Sequence, residues 1–289
     1  MNKNAIRAGI VLIICGLISV GLVAATASSN MTFMGYPALL VCAVVAFVVQ
    51  WLAFVPAYLK QTEKFYDLCG SGTFLLVTIV ALYLASPPSI YQWVLGLMVI
   101  VWALRLGSFL FTRIHQDGAD DRFDEMKPNK YRFFSAWTIQ GLWVLITSAA
   151  AVTAITSINQ PPITWISIVG VSLWLFGLTI EVIADRQKRN FKKQPASERG
   201  FITTGLWAYS RHPNYLGEIL LWIGVAVAAM PALAGWQYIV VCSPLFVILL
   251  LVKVSGIPLL EAKAEKKWGG NKDYEAYKAG TSLLIPKVW

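Results

Sequence analysis

Long apolar runs, broken by short polar connections, set the pattern of this chain. Eight segments meet or approach the roughly 20 apolar residues that a hydrocarbon core requires: about 6–27, 37–59, 68–85, 90–112, 133–156, 163–184, 213–230 and 236–254. Runs of that length predict helices, because a lipid-facing backbone must satisfy its own hydrogen bonds. The connections alternate in character. The first, third, fifth and seventh (28–36, 86–89, 157–162 and 231–235) contain no Lys, Arg, Asp or Glu. Charges gather instead in the N-terminus, the even connections, the C-terminal tail and the helix ends beside them. By the positive-inside rule this predicts an all-α polytopic bundle of about eight transmembrane helices with both termini cytoplasmic.

Composition agrees. Of 289 residues 57% are apolar and only 13% charged, about half the charged share of a soluble domain, and the mean hydropathy is +0.62. The net charge of +9 becomes a one-sided basic face toward anionic headgroups or anionic cytoplasmic ligands. The membrane explains the basic clusters, so nucleic acid is not invoked. Cys15, Cys42, Cys69 and Cys242 lie in or beside apolar runs without metal or disulfide spacing, and read as small buried hydrophobes. Ala25-Thr26-Ala27 resembles a signal-peptidase site, but the apolar stretch before it exceeds a typical signal core, so an uncleaved helix is expected.

Four ionisable groups lie inside or at the mouth of the apolar runs: Asp67, Arg105, Glu181 and Glu218. Each costs on the order of 2–3 kcal/mol in lipid unless paired or facing a cavity. All four open toward the expected cytoplasmic side, which predicts a pocket entered from one face rather than a path through the bilayer. Snorkelling, or an Arg105–Asp67 pair, is the plainer reading for the first two. In the sixth segment Glu181, Asp185, Lys188 and Lys192 fall at i, i+4, i+7 and i+11, one helical stripe with acids deep and lysines emerging. In "AYSRHPNYLGEILL" Pro213 suits the first turn of a helix, with Ser210 or His212 near the cap and Arg211 beside the free N–H groups. Arg211, Asn214 and Glu218 then follow one face inward. The pattern suits a cofactor whose phosphates stay at the surface while its reactive ring reaches lipid depth.

These residues carry a resemblance. "ADRQKRNFKK", "GLWAYSRHPNYLGE" and "LLEAKAEKKWGG…DYEAYKAGTSLLIP" resemble the steroid 5α-reductase/sterol reductase superfamily, and look closest to its bacterial DUF1295 branch. The likeness spans roughly residues 60–289, taken as a catalytic membrane domain; residues 1–59 are N-terminal transmembrane helices, the first an extension. RHPxYxG is shared with the isoprenylcysteine carboxyl methyltransferases. The resemblance implies NADPH held in a cytoplasm-facing cavity and reduction of an activated C=C bond in a lipid-like substrate, in a bacterial inner membrane. It places Lys188 and Lys192 on the cofactor phosphates, Asp185, Asn214 and Glu218 on the nicotinamide half, and Arg211, His212, Tyr215 and Tyr277 around the cofactor. Asp67 falls near a ketone-binding Glu of the steroid reductases, whose partner tyrosine is replaced by Trp102, which puts a 3-ketosteroid substrate in doubt.

Hydride delivery to the β-carbon of a polarised alkene needs an acid for the carbonyl oxygen and a proton for the α-carbon. Asp67 is the first candidate acid, since burial at a membrane edge favours its protonated form, and Tyr215 the second. A plain helix N-terminal acid is the competing reading of Asp67. An S-adenosylmethionine-dependent lipid or prenyl-cysteine methyltransferase is the main rival, but its cofactor lacks a phosphate for the lysines, and Glu218 directly follows the motif glycine. A small transporter would need ionisable groups at several depths. "GSG" at 70–72 reads as close helix packing. "HQDGADDRFDEMK" reads as a solvated loop rather than a metal site, with Arg113 and Arg122 positioned to cover the cofactor. The tail from Glu261 to Lys278 reads as one or two interfacial amphipathic helices forming a lid.

Overall fold

The computed structural model describes residues 3–117, 120–195 and 200–286. Among the described residues ten α-helices dominate: α1 (Lys3–Thr26), α2 (Ala38–Leu59), α3 (Tyr66–Leu84), α4 (Ile90–Asp117), α5 (Lys130–Ile155), α6 (Trp165–Lys192), α7 (Pro213–Ala229), α8 (Ser243–Leu249), α9 (Ile257–Trp268) and α10 (Lys272–Gly280). Eight helical stretches among the described residues are long and apolar enough to cross a membrane. The protein is an integral multi-pass membrane protein of all-α class.

Two local features depart from plain helices. In the first connection β1 (Thr32–Phe33) pairs antiparallel with β2 (Tyr36–Pro37). Met34 and Gly35 turn between them, both at positive φ (51° and 81°), as a two-residue hairpin of primed type demands. The eighth apolar stretch is composite: a 3₁₀ run over Gly235–Cys242, then α8, then a π-helical turn over Leu250–Val254 that leads into α9.

The chain forms two compact units. The first comprises Met1–Ser167 with Ala228–Ser243. Its centre is α5, whose most apolar window is 83% buried, against 17% for α1. Small residues let the neighbours close in: Ala149, Ala150, Ala151 and Ala154 are all essentially inaccessible. Ile13, Leu17 and Val20 of α1 are each more than 60% exposed and form a lipid-facing stripe. At its C-terminal end α1 is tied down by a polar knot. Asn30 Nδ2 donates to Thr156 Oγ1 (2.9 Å), Met31 N to Thr156 O (2.7 Å) and Gln237 Nε2 to Ser29 O (2.9 Å). Ser157 Oγ donates to Ala232 O (2.8 Å) and Gln92 Nε2 to Ile155 O (2.6 Å). These bonds satisfy carbonyls that helix ends leave open.

Toward the other end of the same unit, the turn between α2 and α3 is latched to the chain before α5. Glu63, buried, accepts from Lys127 Nζ (2.7 Å) and from Asp120 N (3.0 Å). Burial pushes the Glu63 carboxyl up, but Lys127 and the Asp120 amide outweigh it and the net shift is downward. Beside the latch Phe133, Trp137 and Phe123 pack with Ala57 and Tyr66.

The second unit comprises Ile168–Val227 with Pro244–Trp289. Its spine is a glycine seam between α6 and α7. A Cβ on Gly177 would lie 2.5 Å from Leu221 N, one on Gly217 2.6 Å from Glu181 N and from Gly177 O, and one on Gly224 2.5 Å from Trp174 N. The two backbones touch at one-heptad intervals, as only glycine allows.

Candidate functional site

The seam decides where the acids of α6 stand. Gly217 backs directly onto the Glu181 turn, and Glu181 and Asp185 are 3% and 6% exposed. Asn214, Tyr215 and Glu218, half-buried, rise from the first turns of α7. Farther along α6 Lys188 is half-buried and Lys192 exposed, so the stripe runs from enclosed carboxylates to open ammonium groups.

A short 3₁₀ segment, Gly205–Ala208, folds against the outer turns of α6. Gly205 sits at φ 64° against the Gln187 side chain, where any Cβ would collide. Leu206 N then donates to Gln187 Oε1 (3.0 Å) and Trp207 Nε1 to Ala184 O (3.1 Å). Lys188 Nζ lies 4.8 Å from the centre of the Trp207 ring, a cation–π contact that fixes its direction. The C-terminal tail straps this region. Tyr277 OH donates to Trp207 O (2.7 Å), Arg211 N to Ser282 O (2.9 Å) and Ser210 Oγ to Leu284 O (2.7 Å). Phe201 fills the space under the strap against Trp268, Tyr274 and Tyr277. Burial pushes the Tyr277 hydroxyl up to about 12, so it remains a proton donor to that carbonyl. Where one or two tail helices were expected, two form, α9 and α10.

The electrostatic centre is Glu261, which the sequence reading did not single out. Its Oε2 accepts from Arg211 Nη1 (2.6 Å) and its Oε1 meets His212 Nε2 (2.8 Å). The side chains of Arg211, His212 and Glu261 are 15%, 6% and 26% exposed. Burial holds the imidazole below its ordinary range; Glu261 works against that, while Lys188 and Arg211 reinforce it. His212 is therefore neutral near pH 7, with Nε2–H donating to Glu261 and Nδ1 left as an acceptor. That Nδ1, and the Nε–H of Arg211, are buried and have no hydrogen-bond partner among the described residues. The ring of His212 stacks on Tyr215 at 5.7 Å between centroids and 11° between planes. A buried acceptor and a buried donor thus stand together beside Lys188. Glu261 gave no local signal, because its partners lie 49 and 50 residues away in a charge-alternating tail.

Of the ten residues singled out, nine fall in this second unit and Asp67 in the first. Asp67 opens α3 with its side chain 27% exposed and Arg122 Nη2 3.9 Å from its carboxylate. Arg122 is also held by Asp120. The carboxylate is thus partly buried with a cation beside it. Trp102 is fully buried, edge-on to Phe74 at 5.1 Å. Arg105 stacks over Phe109. The Arg113 side chain and much of the acidic loop lie outside the described residues.

The chain is similar to known proteins. The family described as "Protein of unknown function (DUF1295)" matches residues 53–281. Rat 3-oxo-5-alpha-steroid 4-dehydrogenase 1 is 32% identical over 119 residues, 41% of this chain and 40% of the relative. Steroid 5-alpha-reductase DET2 of Arabidopsis thaliana is 26% identical over 125 residues, 43% of each chain. Chicken delta(14)-sterol reductase LBR is 37% identical over a 51-residue match that covers 13% of this chain and 8% of the relative. The chain thus spans about two-fifths of the length of the steroid-dehydrogenase relatives it matches. No solved structure matches. With more than three-quarters of its length matched and the RHPNYLGE corner folded beside the α6 stripe, the chain belongs to the DUF1295 family, within the steroid 5-alpha-reductase and sterol reductase superfamily.

Proposed function

We propose that this protein is an NADPH-dependent membrane reductase acting on an activated C=C bond of a steroid-, sterol- or other lipid-like substrate. The observation that carries the reading is the buried donor–acceptor pair, Arg211 Nε–H and Nδ1 of the carboxylate-anchored His212 imidazole, which lack a partner among the described residues, near Lys188 of the α6 stripe. Buried polar atoms without a partner are rare, and a ligand is a standard reason for them. These groups fit a dinucleotide with phosphates at one end and an uncharged amide at the other. Lys188, Lys192 and Arg211 would take the phosphates; Asp185, Asn214 and Glu218 the nicotinamide half. Bound there, NADPH supplies the hydride.

The protein's own groups do the rest. Glu261 fixes His212 in one tautomer and keeps the Arg211 guanidinium aimed, so neither reorganises when ligand arrives. Tyr277 and the tail strap hold the Trp207 segment against α6. Asp67 and Tyr215 are the two candidate acids; Tyr215, stacked on a neutral imidazole, is a phenol able to hydrogen-bond a carbonyl oxygen. The reading puts both termini in the cytoplasm of a bacterial inner membrane.

The test follows NADPH oxidation by the purified protein against a panel of lipid enones, with products identified by mass spectrometry. A two-hydrogen mass gain that tracks NADPH loss supports the reading. Saturable binding of S-adenosylmethionine with no NADPH binding would replace it with a lipid methyltransferase.

A further inference from the structure

Within the first unit, a cleft of about 290 Å³ lies between the N-terminal turns of α1 and α5. Asn4, Arg7 and Val11 line it from α1, and Arg132, Ser135 and Ile139 from α5. On each helix these positions follow one face, at i, i+3 and i+7. The lining is graded: both arginines, the amide and the hydroxyl stand at the helix starts, and Val11 and Ile139 lie two turns deeper, about 10 Å along the axis. Arg7 is exposed, and among the described residues no carboxylate pairs with it. Among the described residues Arg132 forms an ion pair only with Glu125, at 3.6 Å, whose side chain is 86% exposed. Two cations thus face one solvated anion. The knot at the far end of α1 fixes that helix to α5, while at this end the two are held apart.

Cations at headgroup level above an apolar wall complement an amphiphile with an anionic head. We propose that this cleft binds one anionic glycerophospholipid, its phosphate between Arg7 and Arg132 and an acyl chain along Val11 and Ile139. The site is independent of the reductase reading. Arg7 and the rest of α1 lie outside the family match at 53–281.

Native mass spectrometry of the full chain released from detergent tests it, with phosphatidylglycerol, phosphatidylcholine or inorganic phosphate added. Phosphatidylglycerol is expected to be retained at least tenfold better than phosphatidylcholine. Arg7→Gln and Arg132→Gln each lower that retention about fivefold, and the paired Arg→Lys variant keeps it. Lys266→Gln, a cation on α9, leaves it unchanged. Thermal unfolding of each variant confirms that the fold is kept. Equal retention of the two lipids, wild-type retention by the paired Gln variant, or complete displacement of the lipid by millimolar inorganic phosphate would overturn the proposal.

Discussion

Replacing Glu261 by Gln isolates the electrostatics of the site with almost no change in shape. The carboxylate serves two donors, Arg211 at 2.6 Å and His212 at 2.8 Å. Gln has one acceptor oxygen, so its amide NH₂ must face one of them, and Arg211 loses its counter-ion. An unsatisfied buried donor costs about 1–3 kcal/mol, and breaking a buried ion pair from one side about 3–5 kcal/mol. Because Glu261 is 26% exposed, water recovers part of that, and about 3 kcal/mol is expected. At about 2–4 °C per kcal/mol the unfolding midpoint falls by about 6–12 °C. Glu265→Gln is the control: its partner Lys278 is solvated, and the midpoint stays within about 1 °C. The pH dependence adds a second check. His212 is held below its unfolded value by burial, so its contribution is complete above about pH 6.5 and declines as pH falls through that value toward the folded one. Gln removes the group that raised the imidazole, so once pH falls below the wild-type folded value the variant goes on losing stability and the gap between the two widens. Tryptophan fluorescence during thermal unfolding in detergent reads both. A gap under 2 °C at pH 7.5, or one that narrows toward acid, refutes the assigned role of Glu261.

Gly217→Ala puts a methyl group 2.6 Å from Gly177 O; a loss of about 1–3 kcal/mol follows, while Gly9→Ala, in open space within α1, brings no loss in the same melt and a gain of up to about 1 kcal/mol. Lys188→Ala with Lys192→Ala raises the Kd for NADPH by about tenfold or more per lysine, read by fluorescence titration; unaltered affinity removes both from the phosphates. Tyr215→Phe and Asp67→Asn separate the candidate acids, since loss of the true one lowers kcat by about 10²–10⁴ with NADPH affinity kept. Glu63, held down by Lys127 despite its burial, contributes stability that is full above about pH 4.3 and lost as pH falls through its folded value; Glu63→Gln flattens that acid limb in a pH series of melts.

The eight spans were legible because hydropathy over 20 residues is a long, redundant signal. Where length alone decides, as in α1 and α2, expected and observed boundaries differ by three residues or fewer. Helical phase is a weaker signal. The apolar run 236–254 gave no hint that its backbone passes from 3₁₀ to α to π, since side chains equally apolar on every face record no periodicity. The Met34–Gly35 hairpin was missed for want of alternation on either side. In the site, the stripe of α6 and the RHPNYLGE corner could be read because each is local. Glu261, Trp207 and the strap from Ser282 to Leu284 could not, for each acts through a partner dozens of residues away. Gly170, Gly177, Gly217 and Gly224 are the signal that was available: two heptad-spaced pairs on consecutive helices, which mark a backbone contact.

The knot that ends α1 has a consequence for biogenesis. Gln237 reaches back 208 residues to Ser29, and Asn30 reaches forward 126 to Thr156. The C-terminal end of α1 therefore gains its partners in two steps, first from residues 156–158 and only later from Gln237. Until Gln237 is made the knot lacks its last tie, so a stall in synthesis between residues 158 and 237 leaves α1 docked on α5 in an incompletely closed bundle, open to quality-control proteases.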